Sequence, residues 1–319
     1  GLAYCAQATN GAERALRLAT APWRFYSARG HYELARRVLE DALHRPGAED
    51  GTPARANALV RAGAFALYQG DYEAARPHIE ESLALYRHLG DEKGVARALS
   101  GLSVVATFQG DNAAARACNQ ESLARYLALG ERRGEANTLH NLGMLAWSEG
   151  NATDAIAYYE QALRLLGALG DRQHMALTLS GIGGAEVMLG HYGAAQAKFS
   201  LALTLANEIG NEREVMHGIE GTVELATRCN RPSEAAWLLA ASAAMRQRLG
   251  SLPVPAESRM RLALEAELLA ALGEPVYGAL TREGAQASML EALQRALATL
   301  ESLPIPPPQG TLPLADASG

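Results

Sequence analysis

The chain has 319 residues, of which 48% are hydrophobic but only 6% aromatic, so alanine and leucine must supply most of its packing, and both rank among the best helix formers. Its net charge is −6, its only lysines are Lys93 and Lys198, and no basic block occurs, which argues against direct nucleic-acid binding and against docking on an anionic membrane surface. No 18-residue apolar run marks a membrane span, and Cys5, Cys118 and Cys229 stand far apart with no CxxC pair, the pattern of buried reduced thiols in a cytosolic protein.

A 40-residue period organises the sequence from the first unit onward. Gly30, Gly70, Gly110, Gly150 and Gly190 form one series, with Asn230 in the next place; Gly90, Gly130, Gly170, Gly210 and Gly250 form a second. Alanine recurs at 35, 75, 115, 155, 195 and 235, and a small residue recurs at Ala42, Ser82, Ser122, Ala162, Ala202 and Ser242. Leu43, Leu83, Leu123, Leu163 and Leu203 follow directly after that last series. The units lie near 11–50, 51–90, 91–130, 131–170, 171–210 and 211–250.

Each unit predicts two helices, A and B. A glycine turning left-handed ends a helix, and the Asp or Asn after it caps the next. Gly70-Asp71, Gly110-Asp111 and Gly150-Asn151 are such switches, as are Gly90-Asp91, Gly170-Asp171 and Gly210-Asn211. His31 and His191 share the phase after the first glycine series, where a role at the helix start is expected. In the fourth unit, Leu142, Leu145 and Ala146 share one face of helix A; Ala155, Tyr159, Ala162 and Leu163 share one face of helix B. Gly63, Gly143 and Gly183 fall in the middle of helix A at one phase. Close approach to the fixed-phase alanine of helix B is the expected reason, with Gly143 facing Ala155. The run Gly181-Ile182-Gly183-Gly184 lies inside helix A of the fifth unit and is expected to serve packing rather than a nucleotide.

The fourth unit, NLGMLAWSEGNATDAIAYYEQAL, resembles the tetratricopeptide repeat, with Leu142-Gly143, Gly150, Ala155, Tyr159 and Ala162 in that family's places. The usual unit of that family is 34 residues; this one is 40. The longer form, with phrases such as QGDYEAARPHIEESLALYRHLGD, resembles the arrays of bacterial STAND-class signalling ATPases. The segment 233–300, with its AAxLLxAxxAxRxxLG helix, Pro253 and Pro255, Leu272-Gly273, Tyr277 and Gly284, resembles the terminal region of such ATPases that carry winged-helix or LuxR-type DNA-binding modules elsewhere in the chain. The resemblance implies an all-α, right-handed solenoid of antiparallel helix pairs. The expected organisation is a six-unit array over 1–250, capping helices over 251–303 and a disordered proline-rich tail over 304–319. Because the chain starts at Gly1 without a signal peptide, a cytoplasmic segment of a longer protein is expected.

No catalytic apparatus is legible. A P-loop needs GxxxxGK[ST], and neither lysine follows a glycine; HExxH and zinc spacings are missing as well. No metal, cofactor or enzymatic activity is therefore expected. By the family resemblance, one face of the A helices lines a concave groove. That face carries Asn57, Arg61, Ala64 and Tyr68; Arg97, Ser100, Val104 and Phe108; Asn137, His140, Asn141, Met144 and Trp147; Ser180, Gly184, Val187 and Met188; and His217, Glu220, Glu224 and Arg228. The fourth unit is the richest, and Ser180, Gly181 and Gly184 beside it are small enough to leave room for a ligand. The expected occupant is a protein or peptide partner or a small-molecule inducer, sensed on behalf of ATPase and DNA-binding modules upstream; a general scaffold gripping a peptide or helix is the alternative.

Overall fold

The computed structural model of the chain describes residues 10–250 and 255–304, and every regular element among them is an α-helix. Three short helices come first: α1 (Gly11–Thr20), α2 (Trp23–Arg29) and α3 (Tyr32–Leu43). Five antiparallel pairs follow: α4 (Pro53–Tyr68) with α5 (Tyr72–Leu89), α6 (Glu92–Gln109) with α7 (Asn112–Leu129), α8 (Arg132–Ser148) with α9 (Ala152–Leu169), α10 (Arg172–Met188) with α11 (Tyr192–Glu208), and α12 (Glu212–Arg228) with α13 (Pro232–Arg248). The described chain closes with α14 (Pro255–Leu272), α15 (Glu274–Gln286) and α16 (Met289–Ser302). Cys5, Pro253 of the expected turn, and the expected tail beyond Pro304 lie outside the described residues.

The glycine switches fold as read. Gly70, Gly90, Gly110, Gly150, Gly170 and Gly210 all have positive φ, between 64° and 79°. The next side chain in each case accepts the backbone N–H three residues on, as Asp71 does from Ala74 and Asn151 from Asp154. A methyl group on Gly110 or Gly150 would meet nothing within 4 Å, so the left-handed dihedral alone selects glycine there. Asn230 takes the same conformation at φ 58°. His31 and His191 do stand at helix starts, but neither side chain caps its helix; the His191 imidazole instead pairs with Glu186 at 2.8 Å.

The first unit departs from the expected helix pair. Its A segment is broken between Thr20 and Trp23 at Pro22, which cannot donate an amide hydrogen bond and whose ring clashes with the carbonyl four residues earlier.

Within the pairs, one large side chain of helix B wedges between two A helices. Tyr159 of α9 is the clearest case. A methyl group on Gly143 of α8 would lie 2.6 Å from its ring, and one on Gly181 of α10 would lie 2.7 Å from the ring's far side. Ile79 sits in the same way between Gly63 and Gly101, and Phe199 between Gly183 and Gly221. The nearest neighbour of Gly143 is therefore the Tyr159 ring, and at Gly63 the carbonyl of Ala75, from the expected alanine series, also lies 3.2 Å from an added methyl. The alanine series is fully buried, but the helical glycines make room for the wedge. Ser82 and Ser122 add hydrogen bonds from helix B to the Ala56 and Ala96 carbonyls of helix A, at 2.8 and 2.9 Å.

The third unit breaks this scheme. Its wedge position holds Asn119, wholly buried, with Ser103 and Asn141 where glycines flank the other wedges. Two larger neighbours offset one smaller wedge, so volume is conserved while the contact becomes polar. Asn141 donates to the Ser100 hydroxyl at 3.0 Å, but neither amide atom of Asn119 has a partner among the described residues.

Consecutive A helices pack on one another from α4 to α12, with the B helices outside them. The array curls until its sixth unit meets its first two. Leu249 fills the space beside Gly30, where a methyl group would lie 2.8 Å from its Cδ2. Gln69 donates to the Gly250 carbonyl at 3.5 Å. The terminal helices extend the same core: α15 crosses α13 so tightly that Gly284 abuts the Trp237 carbonyl. Helix α16 lies on α11, α12 and α13, where its last carbonyls accept from Gln196 and Arg231.

Candidate functional site

The A helices form the inner wall of this curled array, and the sequence-mapped residues sit on it. Asn57, Arg61 and Tyr68 of α4, Arg97 of α6, and Asn137, His140, Asn141, Met144 and Trp147 of α8 are half-buried. So are Ser180 and Gly184 of α10 and His217, Glu220 and Glu224 of α12, while Arg228 is exposed. Val187 instead turns into the core with α11 and α12.

Much of the wall is knitted sideways. Arg97 donates to Asn57 at 3.2 Å, and Asn141 donates to Ser100. His140, expected on the open face, is turned into the wall. Its Nδ1 lies 3.1 Å from the Thr178 hydroxyl and its ring 5.2 Å from that of Tyr159. Burial pushes this imidazole down to about 3, with the nearby charges of His174 and Arg213 acting in the same direction. Gly181 leaves no room for a ligand either, because the Tyr159 ring occupies that space. Gly184 does face the wall, with Trp147 Nε1 3.7 Å from where its methyl would be.

The two ends of the wall differ in charge. Arg61 stacks on Trp23, its guanidinium carbon 3.8 Å from the ring centre. Burial, with the repulsion of Arg97 next, lowers Arg61 to about 10. Neither Arg61 nor Arg97 has a carboxylate within ion-pair distance among the described residues, and the Arg61 Nε is buried without a partner. On α12, burial opposes the charge of Glu220, but His217 and Arg246, the latter at 2.6 Å, hold its carboxyl below the usual range. Glu224 has no ion-pair or hydrogen-bond partner among the described residues, and burial raises its carboxyl.

Arg213 joins the two ends of the curl. Its guanidinium carbon stands 4.6 Å from the centre of the Tyr68 ring, and it hydrogen-bonds Tyr32. Burial works against this charge, but Glu214 and the tyrosines Tyr32, Tyr68 and Tyr72 together hold it above the ordinary guanidinium value. Arg213, Tyr32, Gln69 and Trp23 were not among the residues mapped from sequence. The period places Tyr32 in phase with Tyr72 and Gln69 in phase with Gln109, but it does not reveal that Arg213 of the sixth unit reaches Tyr32 and Tyr68. A separate cleft of about 670 Å³ lies between α13, α14 and α15, floored by Ala240, Ala243 and Ala244 and edged by Arg261, Glu265 and Tyr277. No group of three or more metal-ligating side chains occurs among the described residues, and no helix there is long and apolar enough to cross a membrane.

Comparison with known proteins agrees with this architecture. Residues 54–128 and 134–208 match the tetratricopeptide repeat family. A search of curated protein sequences finds no match. Among solved structures, a Rap protein complexed with Competence and Sporulation Factor is similar at 13% identity and a TM-score of 0.57, over 91% of this chain and 99% of that one. The Rap conjugation gene regulator of the plasmid pLS20, in complex with the Phr* peptide, is similar at 15% identity and a TM-score of 0.56, over 81% and 76%. The apo form of RapI gives 13% identity and a TM-score of 0.54, over 86% and 98%. At such identities the likeness concerns the fold: an all-α array of tetratricopeptide-type helix pairs.

Proposed function

We propose that this tetratricopeptide-repeat array is a non-catalytic sensor that takes an extended peptide into the passage enclosed by its A helices. The observation that carries the reading is the wall itself. It combines flat and apolar groups, Trp147 and Met144, with buried polar atoms that have no partner among the described residues, on Arg61, Asn137 and His217. Unpartnered buried donors and acceptors are costly to keep, and an extended backbone offers carbonyls and amides to satisfy them. Two of the similar folds were solved as complexes, one with the Phr* peptide, which supports the same use here. The resemblance of 233–300 to STAND-class regulators supports a finer role. In that role the occupied array biases a nucleotide switch in ATPase and DNA-binding modules of the same polypeptide, and the chain itself contacts no nucleic acid.

The test is a melting-temperature screen of the purified chain against pools of peptides, sugars and nucleotides. A ligand that binds only the folded state at 100 times its Kd adds about 2.7 kcal/mol. Peptides are expected to raise the melting temperature, and Trp147→Ala is expected to reduce that rise while leaving the helical spectrum unchanged. A rise with sugars or nucleotides and none with peptides sinks the peptide reading. A P-loop encoded in the same reading frame supports the sensor role; a frame without one leaves a general scaffold.

A further inference from the structure

The inner wall is electrically bipolar, and its uncompensated charges lie on different helices. Among the described residues, Arg61 and Arg97 on α4 and α6 have no carboxylate within reach, and Arg61 presses its face on Trp23 with Nε unpartnered. Asn57 accepts a hydrogen bond from Arg97. Opposite in sign, Glu224 on α12 carries neither hydrogen bond nor ion pair among the described residues, with only the charge of the exposed Arg228 one turn on acting in its favour, whereas Glu220 one turn earlier is satisfied by Arg246 and His217. Between the two ends, Asn137, His140, Met144, Ser180 and Gly184 of α8 and α10 bring neither a carboxylate nor a guanidinium.

Half-buried charges left without partners raise the free energy of the empty protein, because protein replaces water around them and no opposite charge makes up the loss. Two guanidiniums that repel each other gain from any anion placed between them, and a planar fork matches a carboxylate best. Glu224 gains from a cation in the same way. From this geometry we propose that the peptide in the passage carries opposite charges near its two ends, its carboxylate held by Arg61 and Arg97 and its ammonium or guanidinium by Glu224. This rests on the peptide reading given above and adds to it a charge order.

The experiment is affinity selection of a random decapeptide pool with both termini blocked, so that only side chains supply charge. The 319-residue chain is compared with the double variant Arg61→Gln, Arg97→Gln and with Glu224→Gln, each first checked for an unchanged circular dichroism spectrum. The wild type is expected to enrich peptides with Asp or Glu toward one end and Lys or Arg toward the other, on the order of tenfold over the pool. The double variant should lose only the acidic preference, and Glu224→Gln only the basic one. Recovered peptides without charge bias, or the same bias in both variants, overturn this proposal and leave the peptide reading standing. Enrichment that follows phosphorylated residues in a parallel pool, rather than carboxylates, also overturns it. A wild-type chain that retains no peptide overturns both.

Discussion

The Tyr159 wedge gives the sharpest test of the packing. Replacing Gly143 by alanine in a helix interior should stabilise by about 1 kcal/mol on propensity alone. Here the added methyl would lie 2.6, 2.7 and 2.9 Å from Cδ1, Cε1 and Cγ of Tyr159. The ring cannot slide away, because Gly181 already touches its far side at a distance that admits no methyl group. Overpacking of this kind costs about 1–3 kcal/mol, and the upper half of that range applies where both faces are blocked. Gly143→Ala should therefore destabilise the chain by a net of about 1–2 kcal/mol. Tyr159→Ala alone should cost about 3–5 kcal/mol by opening a cavity. In that background Gly143→Ala should change sign and stabilise by up to about 1 kcal/mol, a coupling of about 2–3 kcal/mol in the double-mutant cycle. Urea unfolding followed by circular dichroism measures all four chains. An additive cycle, or a Gly143→Ala chain as stable as the wild type, would show that the ring does not sit between the two glycines.

Three further outcomes follow from named groups. Asn119→Leu, nearly isosteric, removes two orphaned amide atoms from the core and should stabilise by about 1–3 kcal/mol; a lower urea midpoint would mean that a water or an unseen partner satisfies the amide. Arg213→Ala removes the contact with Tyr68 and Tyr32 and should cost about 1–2 kcal/mol. It should also enlarge the radius of gyration in solution scattering, and an unchanged radius would show that Leu249 and Gln69 close the curl without it. His140 titrates near 3 when folded against an ordinary 6.5. The unfolded chain therefore takes up that proton first as the pH falls. The contribution is complete above about pH 6.5 and declines toward pH 3. The urea midpoint should fall between pH 7.5 and 5, with a shallower fall in His140→Phe; equal slopes would place the imidazole in water.

The sequence by itself determined the helices, their ends and their pairing. Each of those features is local: a left-handed glycine, a capping carboxylate or amide, and an apolar stripe all act within one or two turns of chain, so the 40-residue period reports them directly. Phase on an A helix also indicated its half-buried face, although Val187 of the mapped set turns into the core. The break at Pro22 was not anticipated from the period, which the first unit shares only in part. What the period could not carry was the identity of each contact across helices. Gly143 and Ala155 share a unit, yet the side chain that fills the glycine's space is Tyr159, because a ring reaches farther than a methyl and is clasped by the following unit as well. His140 has the phase of a wall residue but turns toward Thr178, since a neutral imidazole gains a hydrogen bond and a ring contact there. Asn119 shows the same limit in reverse: its place in the period reads as a wedge, and only the packed neighbours reveal an unsatisfied amide. The closure by Arg213, Leu249 and Gln69 lay furthest from view. Curvature accumulates from small rotations at every helix crossing, and the residues it finally brings together are about 140 to 220 positions apart, far beyond the reach of any local rule.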